Sequence, residues 1–164
     1  MVTIKETKKY HKIKKRIPRI IYKKIDKHEI IHGSRVLNKR FPQYLEKETT
    51  DYDLYSKTPK KDAVEVEKAL DKRFGFNAFR TETAIHKSTW KVRSNVTGEG
   101  VADYTKPERK IPYDVINGKK YVKLGFVKKH ILKTLKDPSA SFRHEKDRDA
   151  LNRIKIFEKT KKWR

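Results

Sequence analysis

Two aspartates, Asp51 and Asp53, stand one residue apart in "TTDYDLYS". The alternation of polar and apolar residues around them is that of a strand. In a strand, residues two apart project from the same face. The two carboxylates therefore point together, and Tyr52 and Leu54 point the other way, into a core. Like charges this close repel and favour a cation between them. Hard oxygen donors suit Mg²⁺ or Mn²⁺, and magnesium fills its remaining positions with water and substrate phosphates. A third carboxylate from a neighbouring strand allows two metals, one lowering the pKa of an attacking hydroxyl and the other stabilising a leaving pyrophosphate. Asp103 in "GVADYT" is the best placed third acid, at the start of a strand signalled by Val101-Ala102, and Asp114 in "PYDVI" competes with it. Asp147 and Asp149 repeat the spacing in "RHEKDRDALNRI", but that pattern is helical. On a helix, residues two apart diverge by about 200°. These two are read as surface acids.

Gly33-Ser34 follows the apolar run "HEIIH" and precedes a short helical pattern. A glycine there lets the backbone approach a phosphate, and a serine hydroxyl and free N–H groups can donate to its oxygens. No G-x-x-x-x-G-K-[ST] motif is present, which disfavours a P-loop NTPase. His28 and His32 fall on the same expected strand, where packing or solvation is favoured over metal binding.

The elements that must position these residues are legible in outline. "HEIIHG" reads as a buried strand, residues 34–45 as one or two helical turns broken at Pro42, and "TDYDLYS" as the next strand. The clearest helix is "TPKKDAVEVEKALDKRFG", with Thr58 or Ser56 as cap, Pro59 in the first turn, Gly75 as terminator, and Val64, Ala69 and Leu70 supplying much of the apolar stripe. Two strands follow, "AFRTETAI" and "STWKVRSN", with a turn near His86-Lys87. Asn117-Gly118 sits between two runs rich in β-formers and predicts a hairpin. Two helices close the chain, about 126–136 and 141–159, divided by Asp137-Pro138. The order predicts a mixed α/β fold with a small mixed sheet flanked by helices.

Composition points to the partner. The chain has 164 residues, with 44 Lys and Arg against 21 Asp and Glu, for a formal charge of +23. Such an excess repels itself in isolation and is offset most simply by a polyanion, DNA or RNA. Residues 1–27 carry eleven Lys and Arg against Glu6 and Asp26. Residues 1–17 are read as a basic arm able to lie along phosphates, followed by a short helix with Ile20, Ile21 and Ile25 inward. The absence of cysteine excludes disulfides and thiolate zinc sites. No apolar run reaches membrane-spanning length and no secretory signal is visible, so an intracellular location, in the cytoplasm or within a nucleoprotein or viral particle, is expected.

Taken together, "IIHGSRVLN" (30–38), "TTDYDLY" (49–55), "GVADYT" (100–105) and the late "RHEKDRDALNRI" (143–154) arrive in a fixed order. That order resembles the nucleotidyltransferase superfamily, which includes DNA polymerase beta, the poly(A) and CCA-adding enzymes and the minimal nucleotidyltransferases. The resemblance spans about residues 20–158. It implies one nucleotidyltransferase-like domain over 18–160, between the arm at 1–17 and a basic tail at 161–164. It implies that Asp51, Asp53 and Asp103 bind Mg²⁺ or Mn²⁺, with Asp103 also helping to deprotonate the acceptor hydroxyl. Gly33 and Ser34 would hold the triphosphate, with Arg35 and Asn38 beside it. Lys129 or Lys146 would reach the phosphates. The implied reaction moves a nucleoside monophosphate from an NTP to a hydroxyl, most simply on nucleic acid. The alternative is a domain of this fold serving as a basic nucleic-acid-binding or structural component of a nucleoprotein or viral assembly.

Overall fold

Alternating side chains and paired backbones assemble a seven-stranded sheet in the computed structural model, which describes residues 1–86 and 88–162. In chain order the strands are β1 (Ile30–His32), β2 (Tyr52–Tyr55), β3 (Phe79–Thr83), β4 (Thr89–Ser94), β5 (Gly100–Thr105), β6 (Tyr113–Ile116) and β7 (Lys119–Val122). Across the sheet they run β3-β4-β5-β2-β1-β7-β6. β2 pairs parallel with β5, and β1 parallel with β7. The other neighbours, β1 with β2, β3 with β4, β4 with β5 and β6 with β7, are antiparallel. Asn117 and Gly118 turn the β6–β7 hairpin with φ of 52° and 78°, as their residue types predict.

The helices are α1 (Ile4–Ile13), α2 (Ile17–Lys24), α3 (Ser34–Arg40), α4 (Pro59–Phe74), α5 (Leu124–Leu135) and α6 (His144–Lys162). α4 buries Ala63, Val66, Leu70 and Phe74 at the i, i+3, i+4 spacing of one helical face, and the stripe therefore runs one position off the expected Val64 and Ala69. α4 ends at Gly75, whose φ of 81° is the left-handed cap that glycine adopts at least cost. α1, α2 and α4 share one core with the strands, in which Ile21, Ile31, Leu54, Phe79 and Val92 are fully buried. A second core gathers Leu37 and Phe41 of α3, Ile131 of α5, and Leu151 and Ile154 of α6.

Two sequence expectations change. The basic segment 1–17, expected as an arm, forms α1 over most of its length. Thr3 and Glu6 close a reciprocal capping box at its start. Tyr10 is buried against the rings of Phe74 and Phe79, at centroid distances of 5.3 and 5.9 Å. A single aromatic anchor therefore docks a helix that charge alone would leave in solvent. Asp147 is buried, not superficial, with Arg143 at 3.8 Å, whereas Asp149 is exposed and pairs with Arg153 at 3.1 Å. The expected turn at Lys87 and the tail residues Trp163 and Arg164 lie outside the described residues.

Candidate active site

β2 begins at Tyr52, and the pleat sends Tyr52 and Leu54 into the core while Asp53 faces the other side. Asp51 immediately precedes the strand and is exposed. In the parallel β2–β5 pair, Asp53 stands in register with Asp103. In the antiparallel β1–β2 pair, Asp53 stands opposite His32. Asp53, Asp103 and His32 therefore share one face of the sheet centre. Asp114 lies elsewhere, on edge strand β6, held by Arg40 at 3.0 Å and Lys123 at 3.6 Å.

Burial pushes the Asp53 carboxyl up to about 6, and the charges of Asp51 and Asp103 add to the effect while Lys146 and Arg143 oppose it. Asp103 is also raised, chiefly by burial, with the neighbouring Asp51 adding and Lys91 opposing. Lys91, which faces Asp103 across the β4–β5 register, brings its Nζ to 3.6 Å from Oδ1. The charges of Asp51 and Asp103 thus bear on Asp53, and that of Asp51 on Asp103, a mutual repulsion that a bound divalent cation would relieve.

Gly33 is the residue between β1 and α3, with φ of 76°. A Cβ placed there would run into the Asp53 carboxylate. The glycine is thus required twice, by its backbone angle and by the carboxylate packed against it. Ser34 opens α3 immediately beyond.

Arg35 and Asn38 are engaged with the loop that leads into β2. Arg35 Nε donates to the Asp51 carbonyl at 2.7 Å, and its guanidinium stacks on the Tyr52 ring at 3.7 Å. Asn38 exchanges two hydrogen bonds with the Lys47 backbone, at 2.6 and 3.0 Å. His32 stacks on Tyr55 at a centroid distance of 4.0 Å, and burial, aided by His130 and Arg143, pushes its imidazole down to about 3, so it is neutral. Of the two lysines expected at the phosphates, Lys146 acts on the Asp53 charge and Lys129 is not among the groups that do. Lys91 and Arg143 were not anticipated from sequence. Lys91 is visible only once β4 and β5 are in register, and Arg143 only once the start of α6 is brought back to the sheet.

No curated protein sequence matches the chain significantly. Among solved structures, the fold is similar to the Megavirus polyadenylate synthase, with a TM-score of 0.72 and 24% identity over 86% of this chain. The chain spans 30% of that synthase's length. The shared architecture is the nucleotidyltransferase fold. A family model described as the poly(A) polymerase catalytic subunit matches residues 7–141, a span that runs from within α1 past β7 and takes in Gly33, Asp51, Asp53 and Asp103. The chain belongs to that family.

Proposed function

We propose that the chain transfers a nucleoside monophosphate from an NTP to a hydroxyl of nucleic acid, with Mg²⁺ or Mn²⁺ held by Asp53, Asp103 and Asp51. The observation that carries this reading is the register pairing of Asp53 with Asp103 beside a glycine whose backbone angle and packing both resist a side chain. The donor set, carboxylate oxygens only, fits a hard divalent cation. Such a cation, when bound, polarises the transferred phosphate and acidifies the attacking hydroxyl. Asp103, whose carboxyl burial raises, is the residue that the family resemblance assigns to accept a proton from that hydroxyl. The Gly33-Ser34 turn offers its backbone and hydroxyl to the triphosphate. Lys146 and Arg143, whose charges already act on Asp53, are suited to its oxygens. Arg35 and Asn38 serve here as positioning residues that hold the Asp51 loop. The Megavirus relative is a polyadenylate synthase, so ATP is the first nucleotide to test, and RNA the first acceptor.

The test is incorporation of labelled NTPs onto RNA and DNA primers with Mg²⁺ or Mn²⁺. Loss of activity in Asp53→Asn and Asp103→Asn by at least about 100-fold, beyond the usual cost of losing an outer-shell partner, is expected. Equal incorporation by wild type and both variants would remove the proposal. A second reading rests on Lys91. Its ammonium already partners Asp103, as it would in a domain kept for binding alone. That reading predicts salt-sensitive RNA or DNA binding with no incorporation under any metal.

A further inference from the structure

Behind the sheet, on the face opposite the aspartates, the turn leading into β1 meets the first turn of α4. His28 Nε2 lies 2.8 Å from Asp62 Oδ2 and 3.5 Å from Ser56 Oγ. Ser56 Oγ also donates to Asp62 Oδ2 and accepts the Thr58 backbone N–H at 3.0 Å, while Thr58 Oγ1 donates to Asp62 Oδ2 at 3.4 Å. Glu29 accepts the Asp26 N–H on Oε1 at 3.3 Å. The serine, histidine and aspartate do not make a hydrolytic triad. One histidine nitrogen faces both partners, whereas a general base is oriented through its other nitrogen.

One ligand atom each from His28, Glu29 and Asp62 falls within 4.8 Å of the others. Asp26 and Glu65 meet Asp62 at the same spacing and are exposed. Glu29 is 2% exposed and Asp62 3%. Even so, Glu29 Oε2 has no hydrogen-bond partner, and neither has the hydroxyl of Tyr104, which is 1% exposed and electrostatically coupled to both acids. Buried polar atoms left unpaired are rare and costly. Among the described residues, no Lys or Arg forms an ion pair with Asp26, Glu29, Asp62 or Glu65. Lys119, the cation that acts on Glu29, donates to the Ile25 carbonyl at 2.8 Å and lies over the Tyr22 ring at 5.2 Å. In a chain of net charge +23, these acids have no Lys or Arg ion-pair partner among the described residues.

We propose that His28, Glu29 and Asp62 form a site for a divalent transition-metal ion of the zinc type, separate from the aspartates of β2 and β5. One imidazole and two carboxylates are a donor set that Zn²⁺ accepts, and the imidazole disfavours Mg²⁺ and Ca²⁺. The His28 side chain is 28% exposed and offers the way in. The buried Tyr104 hydroxyl is the donor available to a ligating carboxylate. The ion would fasten the start of β1 to the first turn of α4, and its role is structural.

The test uses the full chain stripped with a chelator, titrated with Zn²⁺ or Mg²⁺ by calorimetry and thermal denaturation, and with Co²⁺ by visible absorption. Zn²⁺ is expected to bind at one equivalent and raise Tm, Co²⁺ to give ligand-field bands typical of a low-coordinate site, and Mg²⁺ to do neither at this site. Glu29→Gln keeps the shape of the side chain and folds without the buried acid. It should lose Zn²⁺ affinity by more than the about 10–100-fold typical of an outer-shell change. His28→Ala should behave likewise, whereas His11→Ala, on the exposed face of α1, and the double variant Asp53→Asn/Asp103→Asn should keep the response. Absence of binding, or equal binding by wild type and Glu29→Gln, would overturn the proposal.

Discussion

Asp53 carries a conflict between stability and chemistry that its substitution should expose. Its carboxyl is raised from 3.8 to about 6, chiefly by burial and then by Asp51 and Asp103. Between those values the folded state holds a proton that the unfolded chain has released. The penalty is therefore absent at low pH, grows as pH rises through this window, and stands in full above it. Asp53→Asn should stabilise the metal-free protein at pH 7–8 by on the order of 2 kcal/mol and leave it unchanged below about pH 4, read by denaturation at both pH values. Gly33→Ala should do the opposite at every pH. Its φ of 76° and the carboxylate at its Cβ position both resist a side chain, so a loss of about 1–3 kcal/mol, with activity lost alongside, is expected. At this scale the strand period placed Asp53 correctly on β2, whereas Asp51 lies just before the strand. From sequence, His28 reads as a packing or solvated residue of the same strand as His32, whereas it lies in the turn before β1, and Glu29 and Asp62 carry no role, because the residues that meet there come from a turn and a helix more than thirty positions apart.

At the scale of elements, the loop between α3 and β2 decides where Asp51 sits. Asn38 staples it at Lys47 and Arg35 grips the Asp51 carbonyl, so α3 acts as the post to which the loop is tied. Asn38→Ala should cost about 1–2 kcal/mol and raise amide exchange around Lys47 while leaving β2 protected. Arg35→Lys keeps the charge but not the planar fork or the stack on Tyr52, and should lower kcat more than it raises KM. Strands and helices with strong local signals, β1, β2, α4 and the Asn117-Gly118 hairpin, were legible from residue types alone. α1 was not: its Lys-rich sequence reads as a solvated arm until Tyr10 finds Phe74 and Phe79, and such a contact is decided by tertiary packing.

At the scale of the molecule, the proposed function assigns nucleic-acid binding to the charge of +23 and chemistry to the acidic centre. Binding of RNA should weaken steeply with salt, in proportion to the number of phosphates neutralised. The slope of log K against log salt should be unchanged in Asp53→Asn, because counterions leave the lysine-rich surface and not the aspartates. Filter binding across a salt series separates this from the loss of incorporation in the same variant. Composition speaks to the sign of the proposed partner's charge, since it needs no fold to be read. It could not show which strands flank which, because that depends on pairings between distant segments.

That strand order has a consequence for how the protein is made. β1, three residues long, is completed on one side by β2 and on the other by β7, whose Lys120 and Tyr121 pair with Ile30 and Ile31 some ninety positions earlier. Until β7 is synthesised, β1 has a bare edge, and an unpaired edge of apolar residues invites pairing with another chain. Contacts this far apart in sequence also close slowly. A chain stopped after β5 should therefore aggregate during synthesis even though Gly33, Asp51, Asp53 and Asp103 are all present in it. The last hairpin holds none of those residues, yet it would govern whether they reach their place before the nascent chain finds the wrong partner.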